Sequence, residues 1–374
     1  MAPQDLPSHM KAQVLEAFNQ PYTSTTLPLP ELSSDDDLLI KVGAASYCHT
    51  DAVLASGQMR PNPPSFPHVG CHEFAGTIVS LPASPSPSAK RYSIGDRVGV
   101  PLRSFHPCGS CFECEDTTRD ESDHAGYSVY CSKAGSHGLS RNGGWSEYAV
   151  VDARQIAPLP DDITAVEAAP LMCAGLTIFG ALKRCKLSHG QRVGIIGAGG
   201  GLGHLGLQFA TAMGLRTLGI DAADAPLELA KELGTSAQIA DARSEDAEAI
   251  VQTMGEEDGI TDRLNMGLDA VIILPEGQAG FDFGMKLLRN HGTCVVASFP
   301  EKGFQVSARD LVFRDIKLIG TQIGSKKTLQ EMMDFATKHK VKAVIKTFAL
   351  DQLNDLVDEY HKAGGGKLVV DMSM

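Results

Sequence analysis

The feature that most constrains the fold is an apolar run at residues 193–196, which leads into a glycine-rich segment at 197–203. Unbroken apolar runs of this length are typical of strands buried in a parallel sheet. A helical pattern at 202–213 follows, and such a turn lets the backbone approach a pyrophosphate at a helix N-terminus. The predicted cofactor-binding residues of this loop are Gly197, Gly199, Gly200, Gly201, Leu202 and Gly203. Counting back from Gly203 puts Ala198 at the first position of G-x-G-x-x-G, so a glycine-rich turn of another α/β protein is the alternative.

Strands and helices alternate after this loop. Strand patterns occur at 216–220, 237–240, 269–274 and 292–297, with helical patterns at 226–233, 247–254 and 281–288 between them. This alternation predicts a doubly wound parallel sheet of about six strands. Asp221 ends the second strand, where a carboxylate binds the adenosine ribose hydroxyls and repels a 2′-phosphate. We therefore expect NAD(H) to be favoured over NADP(H).

The flanking regions have a different pattern. Short strands separated by proline-rich loops are predicted within 10–42 and at 74–80, 92–98 and 143–151. The last part of the chain, 326–374, contains helical patterns at 329–339 and 353–362 and strand patterns at 344–348 and 367–371. Because 374 residues exceed what one core usually fills, we expect two domains, with this last part rejoining the first.

Bulk properties exclude several classes of protein. A net charge of −12 without clustered Lys and Arg argues against a nucleic-acid partner. No apolar run approaches the roughly 18 residues of a membrane span, and the polar amino terminus, with Pro3 and Pro7, lacks a signal-peptide pattern. A cytoplasmic location without a membrane partner is the expectation. Nine cysteines, an odd number, then favour reduced thiols that are free to bind metal.

Three of those cysteines, Cys108, Cys111 and Cys114, are separated by two-residue gaps. A tetrahedral zinc site needs a fourth ligand, and Cys131 is the natural candidate. His106 and His124 are alternatives that we expect to be solvated loop histidines. Four thiolates without an open position would make a structural zinc site. Buried reduced cysteines are the competing interpretation.

A second set of metal-binding side chains is dispersed along the chain. Cys48 opens the sequence Cys-His-Thr-Asp, His72 precedes Glu73, and Cys173 lies on an apolar helical stretch. Two thiolates, one imidazole and an open position suit a catalytic zinc that polarises an alcohol or carbonyl oxygen. Spacing alone does not select these three residues, since Cys173 also fits a core cysteine and His72 a loop histidine.

The motifs in their order resemble those of the zinc-dependent medium-chain alcohol dehydrogenases, most nearly the yeast-type branch. They are Cys48-His-Thr-Asp51, Gly70-Cys-His-Glu73, Cys108-x-x-Cys-x-x-Cys114, Ala169-Pro-Leu-Met-Cys-Ala-Gly175, the glycine loop and Leu218-Gly-Ile-Asp221. The resemblance implies a GroES-like, β-rich catalytic domain at 1–175, completed by 325–374, and a Rossmann NAD-binding domain at 176–324. It also implies two Zn²⁺ per chain and a homo-oligomer, either a tetramer or a dimer.

Roles at the catalytic zinc follow from this resemblance. Cys48, His72 and Cys173 would bind the metal, and Glu73 would lie just behind it. Asp51 would orient His72 through the second ring nitrogen, which is a common arrangement around metal-bound imidazoles.

Further roles concern the proton and the cofactor. The resemblance implies that Thr50 passes the alcohol proton, that His49 contacts the cofactor pyrophosphate, and that Lys367 stands where the family usually has an arginine for the same phosphates. Val53 replaces a histidine that ends the proton relay in many members, and an aliphatic side chain accepts no proton. Pro226 replaces a lysine that often helps hold the adenosine ribose.

The pocket also departs from the yeast-type pattern. Residues 55–59 and Arg103 provide no aromatic side chain where those enzymes have tryptophans, so we expect a substrate larger than ethanol. The predicted activity is reversible hydride transfer between NAD(H) and a small-molecule alcohol or aldehyde. A zinc-independent enoyl or quinone reductase and a non-catalytic NAD-binding protein are the alternatives.

Overall fold

The computed structural model describes residues 6–102, 105–116 and 127–374. Within these residues the strands form sheets of two, six and seven strands. The strands are β1 (His9–Val14), β2 (Thr23–Pro28), β3 (Asp37–Ser46), β4 (Glu73–Ser80), β5 (Arg97–Val100), β6 (Tyr148–Asp152), β7 (Ala157–Pro158), β8 (Arg192–Ile196), β9 (Arg216–Asp221), β10 (Gln238–Asp241), β11 (Leu268–Ile273), β12 (Leu288–Val296), β13 (Lys317–Gly320), β14 (Ile345–Phe348) and β15 (Lys367–Asp371). The α-helices are α1 (His49–Ala55), α2 (Phe112–Glu115), α3 (Ala165–Ala168), α4 (Ala174–Arg184), α5 (Gly203–Ala212), α6 (Asp224–Glu232), α7 (Ala247–Glu257), α8 (Gln278–Leu287), α9 (Ala308–Phe313), α10 (Lys326–His339) and α11 (Leu353–Tyr360).

The six-stranded sheet has the order β10-β9-β8-β11-β12-β13 among the described residues, and each recorded pairing is parallel. This confirms the doubly wound sheet. The chain runs outward from β8 to β10 and then returns to β11 beside β8, so the strand order reverses between β8 and β11. Ligands of such sheets bind outside the carboxyl ends of the strands at this reversal. The glycine loop after β8 lies at that edge.

The seven-stranded sheet has the order β14-β15-β3-β4-β5-β7 in the described part of the chain, with β6 also paired to β3. Its pairings are antiparallel apart from β14 with β15. Val369 and Val370 of β15 lie opposite Ser46 and Ala45 of β3. The end of the chain therefore belongs to the same seven-stranded sheet as β3.

One predicted strand begins later than expected. The pattern at 92–98 predicts a strand over its whole length, but β5 starts at Arg97. Gly95 has a φ of +97°, and the Ser93 N–H donates a hydrogen bond to the Asp96 carboxylate. These residues form a turn because the side-chain hydrogen bond and the left-handed glycine replace the pairing of a sheet.

The apolar helical stretch predicted around Cys173 is also interrupted. Helix α3 ends at Ala168, a 3₁₀ turn covers Ala169–Met172 with Pro170 in its first turn, and α4 starts at Ala174. Cys173 lies between the turn and α4 with φ −127° and ψ −64°. The break places the Cys173 side chain at the amino end of α4.

No single helix in the described ranges has the length and apolar character needed to cross a membrane. The bent pair Ala165–Met172 and Ala174–Arg184 meets the criterion only when its two parts are taken together. Residues 174–182 of this pair are buried in the protein core.

Candidate active site

Cys48, His72 and Cys173 are brought together although they are dispersed in the sequence. Their ligand atoms all lie within 4.8 Å of one another, and all three side chains are buried. Each residue stands at the start of an element: Cys48 precedes α1, His72 precedes β4, and Cys173 caps α4. The end of β3 and the start of β4 position Cys48 and His72, and the break before α4 positions Cys173. The three side chains therefore form one cluster of candidate metal ligands.

Asp51 holds this cluster in position. Its Oδ2 accepts the Cys48 N–H at 3.0 Å, and its Oδ1 accepts the Cys71 N–H at 3.2 Å. Oδ1 also lies 3.3 Å from Nδ1 of His72, and both side chains are fully buried. A carboxylate at Nδ1 keeps the proton there and leaves the Nε2 lone pair free for a metal.

The donor atoms fit a metal ion. Both ring nitrogens of His72 are buried without a hydrogen bond among the described residues. Nδ1 faces the Asp51 carboxylate, whereas Nε2 has no such carboxylate beside it, and its burial is costly unless it binds another ligand. A hydrogen bond from Cys173 outweighs burial and holds the pKa of the Cys48 thiol well below its usual range. The same hydrogen bond, together with burial, raises the pKa of Cys173. Metal ligation requires the thiolate form, so metal binding would displace a proton from this pair of thiols.

Cys71, which precedes the ligand His72, is not part of the cluster. Its Sγ lies 3.5 Å from the Ser46 carbonyl oxygen and 3.4 Å from that of Glu73. Cys71 adopts a φ of +75°, and this left-handed conformation allows the consecutive side chains Cys71 and His72 to face different surroundings.

Glu73 lies behind the cluster and is bound to Lys367. The Lys367 ammonium donates to Oε1 of Glu73 and to the Tyr47 carbonyl oxygen, and Ser46 Oγ donates to the same Oε1 at 3.0 Å. Oε2 accepts the Ala174 N–H at 3.3 Å. Burial lowers the pKa of Lys367, but Glu73 and the nearby thiols of Cys48 and Cys173 together more than offset this effect, and the net shift is upward.

This pairing differs from the expected environment of Lys367. Its ammonium contacts the residues behind the ligand cluster, and only its hydrocarbon stem passes the glycine loop: a Cβ at Gly201 would lie 3.2 Å from Cδ of Lys367. The contact between Lys367 and the cofactor phosphates stays a prediction. Glu73, through Ala174, instead connects Lys367 to the residue after the ligand Cys173.

The four cysteines Cys108, Cys111, Cys114 and Cys131 form a second cluster. Cys131 Sγ lies 3.7 Å from that of Cys108 and 3.9 Å from that of Cys111. Zinc–sulfur bonds of about 2.3 Å in a tetrahedron place the sulfurs about 3.8 Å apart, so these spacings fit a zinc site. The Ser110 N–H lowers the pKa of the Cys108 thiol to about 6, which favours the ligating thiolate.

The two alternative ligands of this site have different outcomes. His106 Nε2 lies 2.6 Å from Oδ1 of the buried Asp37. His106 is therefore neither a member of the cysteine cluster nor the solvated loop histidine that we expected. His124 and Arg103 lie outside the described residues.

The glycine loop is packed too closely for larger side chains. A Cβ at Gly199 would lie 1.9 Å from the Pro226 carbonyl oxygen, and one at Gly203 would lie 2.0 Å from that of Gly197. The Gly199 N–H donates to Oδ2 of Asp221 at 3.0 Å. The loop is therefore hydrogen-bonded to the predicted ribose-binding carboxylate at the carboxyl ends of the strands. Leu202 is the N-cap residue of α5.

Thr50 and His49 lie beside the ligand cluster. Oγ1 of Thr50 is 3.8 Å from Cys48 Sγ, and this threonine is 8% exposed. Nδ1 of His49 is 2.8 Å from the Tyr360 hydroxyl, and its Nε2 is 3.1 Å from Oε1 of Glu276. His49 therefore connects α11, which carries Tyr360, with the loop after β11, which carries Glu276.

Comparisons with known proteins show the family of this chain. Two family models match: the alcohol dehydrogenase GroES-like domain over residues 34–161 and the zinc-binding dehydrogenase domain over residues 201–338. An alcohol dehydrogenase of Geobacillus stearothermophilus is 33% identical over 356 residues, covering 94% of this chain and 96% of the relative. The chain belongs to the medium-chain alcohol dehydrogenases. Alcohol dehydrogenase 1 of Emericella nidulans is 30% identical over 98% of this chain and 99% of the relative.

Solved structures of similar proteins show the same fold. The alcohol dehydrogenase of the archaeon Aeropyrum pernix has a TM-score of 0.81 and 25% identity, and the match covers 96% of this chain and 99% of that one. The predicted fold class, a GroES-like domain with a doubly wound Rossmann sheet, is confirmed. The protein is an oxidoreductase of the alcohol dehydrogenase family.

Three residues of this alcohol dehydrogenase site were not predicted from the sequence. Glu276 lies just beyond the carboxyl end of β11, and the rule that ligands bind at such ends could have identified it. Tyr360 belongs to α11, far along the chain from His49, and no local pattern indicates their contact. Phe299 is 50% exposed with its ring centroid 6.2 Å from that of His49, which adds an aromatic side chain to this cleft.

Proposed function

We propose that this dehydrogenase is a zinc-dependent alcohol dehydrogenase and aldehyde reductase that transfers hydride reversibly between NAD(H) and an alcohol/carbonyl pair. The observation that carries the proposal is the buried cluster of Cys48, His72 and Cys173, in which the described residues offer no hydrogen-bond partner to Nε2 of His72. When bound, zinc supplies a Lewis acid for the substrate oxygen, and the nicotinamide gives or takes the hydride.

The residues around the cluster have separate roles in this proposal. Thr50, with its hydroxyl 3.8 Å from Cys48 Sγ, takes the proton of the alcohol. Asp51 fixes the ring of His72, and Glu73 fixes the chain at Ala174 beside the ligand Cys173. Valine at position 53 cannot accept this proton, so the proton leaves Thr50 by a route that does not include residue 53.

The cysteine cluster at 108–131 would hold a second, structural zinc. Its sulfur spacings support a closed four-thiolate site. Such a site has no open position for a substrate, so its role is to fix the segment that carries the cysteines against β3 and β6, which His106 also contacts through Asp37 and Asp152.

The charges at the adenosine end support NAD(H) over NADP(H). Asp221 and Asp241 lie opposite each other at the carboxyl ends of β9 and β10. Arg243 is bound to Asp241 at 2.8 Å and to Asp224 at 2.6 Å, so its charge is compensated. Three carboxylates against one guanidinium repel the 2′-phosphate of NADP.

A homo-oligomer, either a dimer or a tetramer, is supported by one apolar surface. Val312 and Phe313 of α9 are 72% and 73% exposed, and Leu318 of β13 is 36% exposed. In the described sheet β13 is an edge strand. Open edges and exposed apolar side chains are covered in stable proteins, and a second copy of this chain is the partner that we propose.

The proposed domains are 1–175 with 325–374, and 176–324. The pairing of β15 with β3 supports the joining of the two outer segments. The cytoplasmic location stays a prediction.

A substrate screen tests the proposed activity. Zinc-loaded enzyme would be mixed with small, branched, aromatic and polycyclic aldehydes, and NADH absorbance would be followed. We expect turnover with aldehydes, with substrates larger than acetaldehyde preferred; a clear preference for acetaldehyde would contradict the larger pocket. Reduction of activated C=C bonds without zinc would indicate the alternative reductase, and cofactor binding without turnover would indicate a non-catalytic protein.

A further inference from the structure

His49 makes two polar contacts, a hydrogen bond to Tyr360 of α11 and an ion-pair contact with Glu276 in the loop after β11. The Tyr360 hydroxyl lies 2.8 Å from its Nδ1, and Oε1 of Glu276 lies 3.1 Å from its Nε2. The Tyr360 hydroxyl can donate to Nδ1, and the Glu276 carboxylate lies within ion-pair distance of Nε2. Both ring nitrogens of His49 are therefore engaged.

Glu276 stands where an anionic ligand of this fold is expected. It lies three positions beyond β11, which ends at Ile273 next to β8, so it is at the point where the strand order reverses. The glycine loop after β8 opens at the same edge, and phosphates bind at such loops. Among the described residues, His49 is the only recorded hydrogen-bond or ion-pair partner of the Glu276 side chain.

Both side chains remain accessible to a ligand. The His49 side chain is 47% exposed and that of Glu276 is 40% exposed. A pair with this exposure is held by a weak interaction, so a cofactor phosphate could displace the carboxylate from Nε2. Tyr360, in contrast, contacts Tyr47 with ring centroids 5.0 Å apart and would keep His49 in place during the exchange.

We propose that Glu276 is a determinant of cofactor affinity, because its carboxylate occupies the position on His49 that the cofactor pyrophosphate takes, and must be displaced from it. The proposal rests on the proposed function and on the contact between His49 and the cofactor pyrophosphate that the resemblance to alcohol dehydrogenases implies. Glu276 opposes binding in two ways: it competes for Nε2 of His49, and its charge repels the phosphates. Product cofactor leaves more easily for the same reasons.

The substitution Glu276→Gln tests the proposal in the zinc-loaded enzyme. Glutamine retains the size and the acceptor oxygen but removes the charge. Because exposed ion pairs contribute little, we expect the Kd of NAD and of ADP-ribose to fall by about twofold to tenfold. Adenosine has no phosphate, so its Kd should be the same for the wild-type enzyme and for Glu276→Gln. Isothermal titration calorimetry measures the Kd of NAD and of ADP-ribose. The Kd of adenosine is obtained from its ability to displace ADP-ribose.

Glu232→Gln is the matched control. It removes the same charge from an exposed side chain at the carboxyl-terminal end of α6. This end of α6 lies towards the amino ends of the strands, whereas the glycine loop lies at their carboxyl ends. The substitution should therefore leave each Kd unchanged. An unchanged or higher Kd for ADP-ribose in Glu276→Gln would overturn the proposal, since Glu276 would then be neutral towards the cofactor or would bind it. Failure of the wild-type enzyme to bind NAD or ADP-ribose would instead refute the proposed function.

Discussion

His204 connects the glycine loop to the catalytic sheet and should make stability depend on pH. The residue is completely buried. Its Nδ1 donates to the Gly200 carbonyl oxygen at 2.9 Å, and its Nε2 accepts the Val344 N–H at 3.1 Å just before β14. Burial lowers the pKa of this imidazole to about 4, against the opposing effect of the Gly200 carbonyl. Protonation would place a second N–H against the Val344 donor.

The size of the effect follows from the two pKa values. An unfolded histidine has a pKa of about 6.5, so between about pH 6.5 and pH 4 the unfolded chain binds a proton that folded His204 does not. Stability therefore falls as the pH falls through this window and is complete above it. Between pH 7 and pH 5 the contribution of His204 decreases by about 2 kcal/mol.

The assay compares the wild-type protein with His204→Gln. A glutamine amide can donate to Gly200 and accept from Val344 but does not titrate. The free energy of unfolding would be measured by urea denaturation at pH 7 and pH 5 with zinc present. Other groups, including the buried His137 with its pKa lowered to about 4, contribute equally to both proteins. We expect the wild-type protein to lose about 2 kcal/mol more than the variant; equal losses would refute this account of His204.

Three further variants test separate parts of the proposed enzyme. Val53→His should speed proton-limited turnover near neutral pH by up to about tenfold, because imidazole accepts a proton that valine cannot; an unchanged pH–rate profile would show that the proton leaves elsewhere. Asp221→Ser should reduce the preference for NAD over NADP, compared as kcat/KM, by at least about tenfold. An unchanged ratio would remove Asp221 as the selector. The double variant Val312→Ser, Phe313→Ser should weaken self-association by about 100-fold through the loss of about 3 kcal/mol of apolar burial, and analytical ultracentrifugation showing an unchanged mass would exclude this surface.

The sequence predicts those parts of the molecule whose chemistry is local. The apolar strand before Gly197 and the alternation after it indicate the doubly wound sheet, because burial on both faces leaves a continuous apolar run. The two-residue gaps of Cys108, Cys111 and Cys114 likewise indicate a cluster, and Cys131 joins it in the structure.

Contacts made through the tertiary fold are not visible in such patterns. The resemblance implies a phosphate contact for Lys367, which stays a prediction, whereas the contact of its ammonium with Glu73 is made only in the folded chain. Tyr360 can hydrogen-bond to His49 only because α11 packs against β15 of the seven-stranded sheet. The grouping of Cys48 with His72 and Cys173 was implied by resemblance, since spacing could not select it.

The catalytic role of the three-ligand cluster is tested most directly by zinc analysis of Cys173→Ala. Inductively coupled plasma mass spectrometry should find about two zinc ions per chain in the wild-type protein and about one in the variant. Turnover should be lost in the variant while NAD binding is retained. The control Cys185→Ala removes a buried thiol that bonds only to the Ala181 carbonyl in the described structure and should keep both ions and activity. A Cys173→Ala protein that retained two zinc ions and near-normal turnover would contradict the assignment.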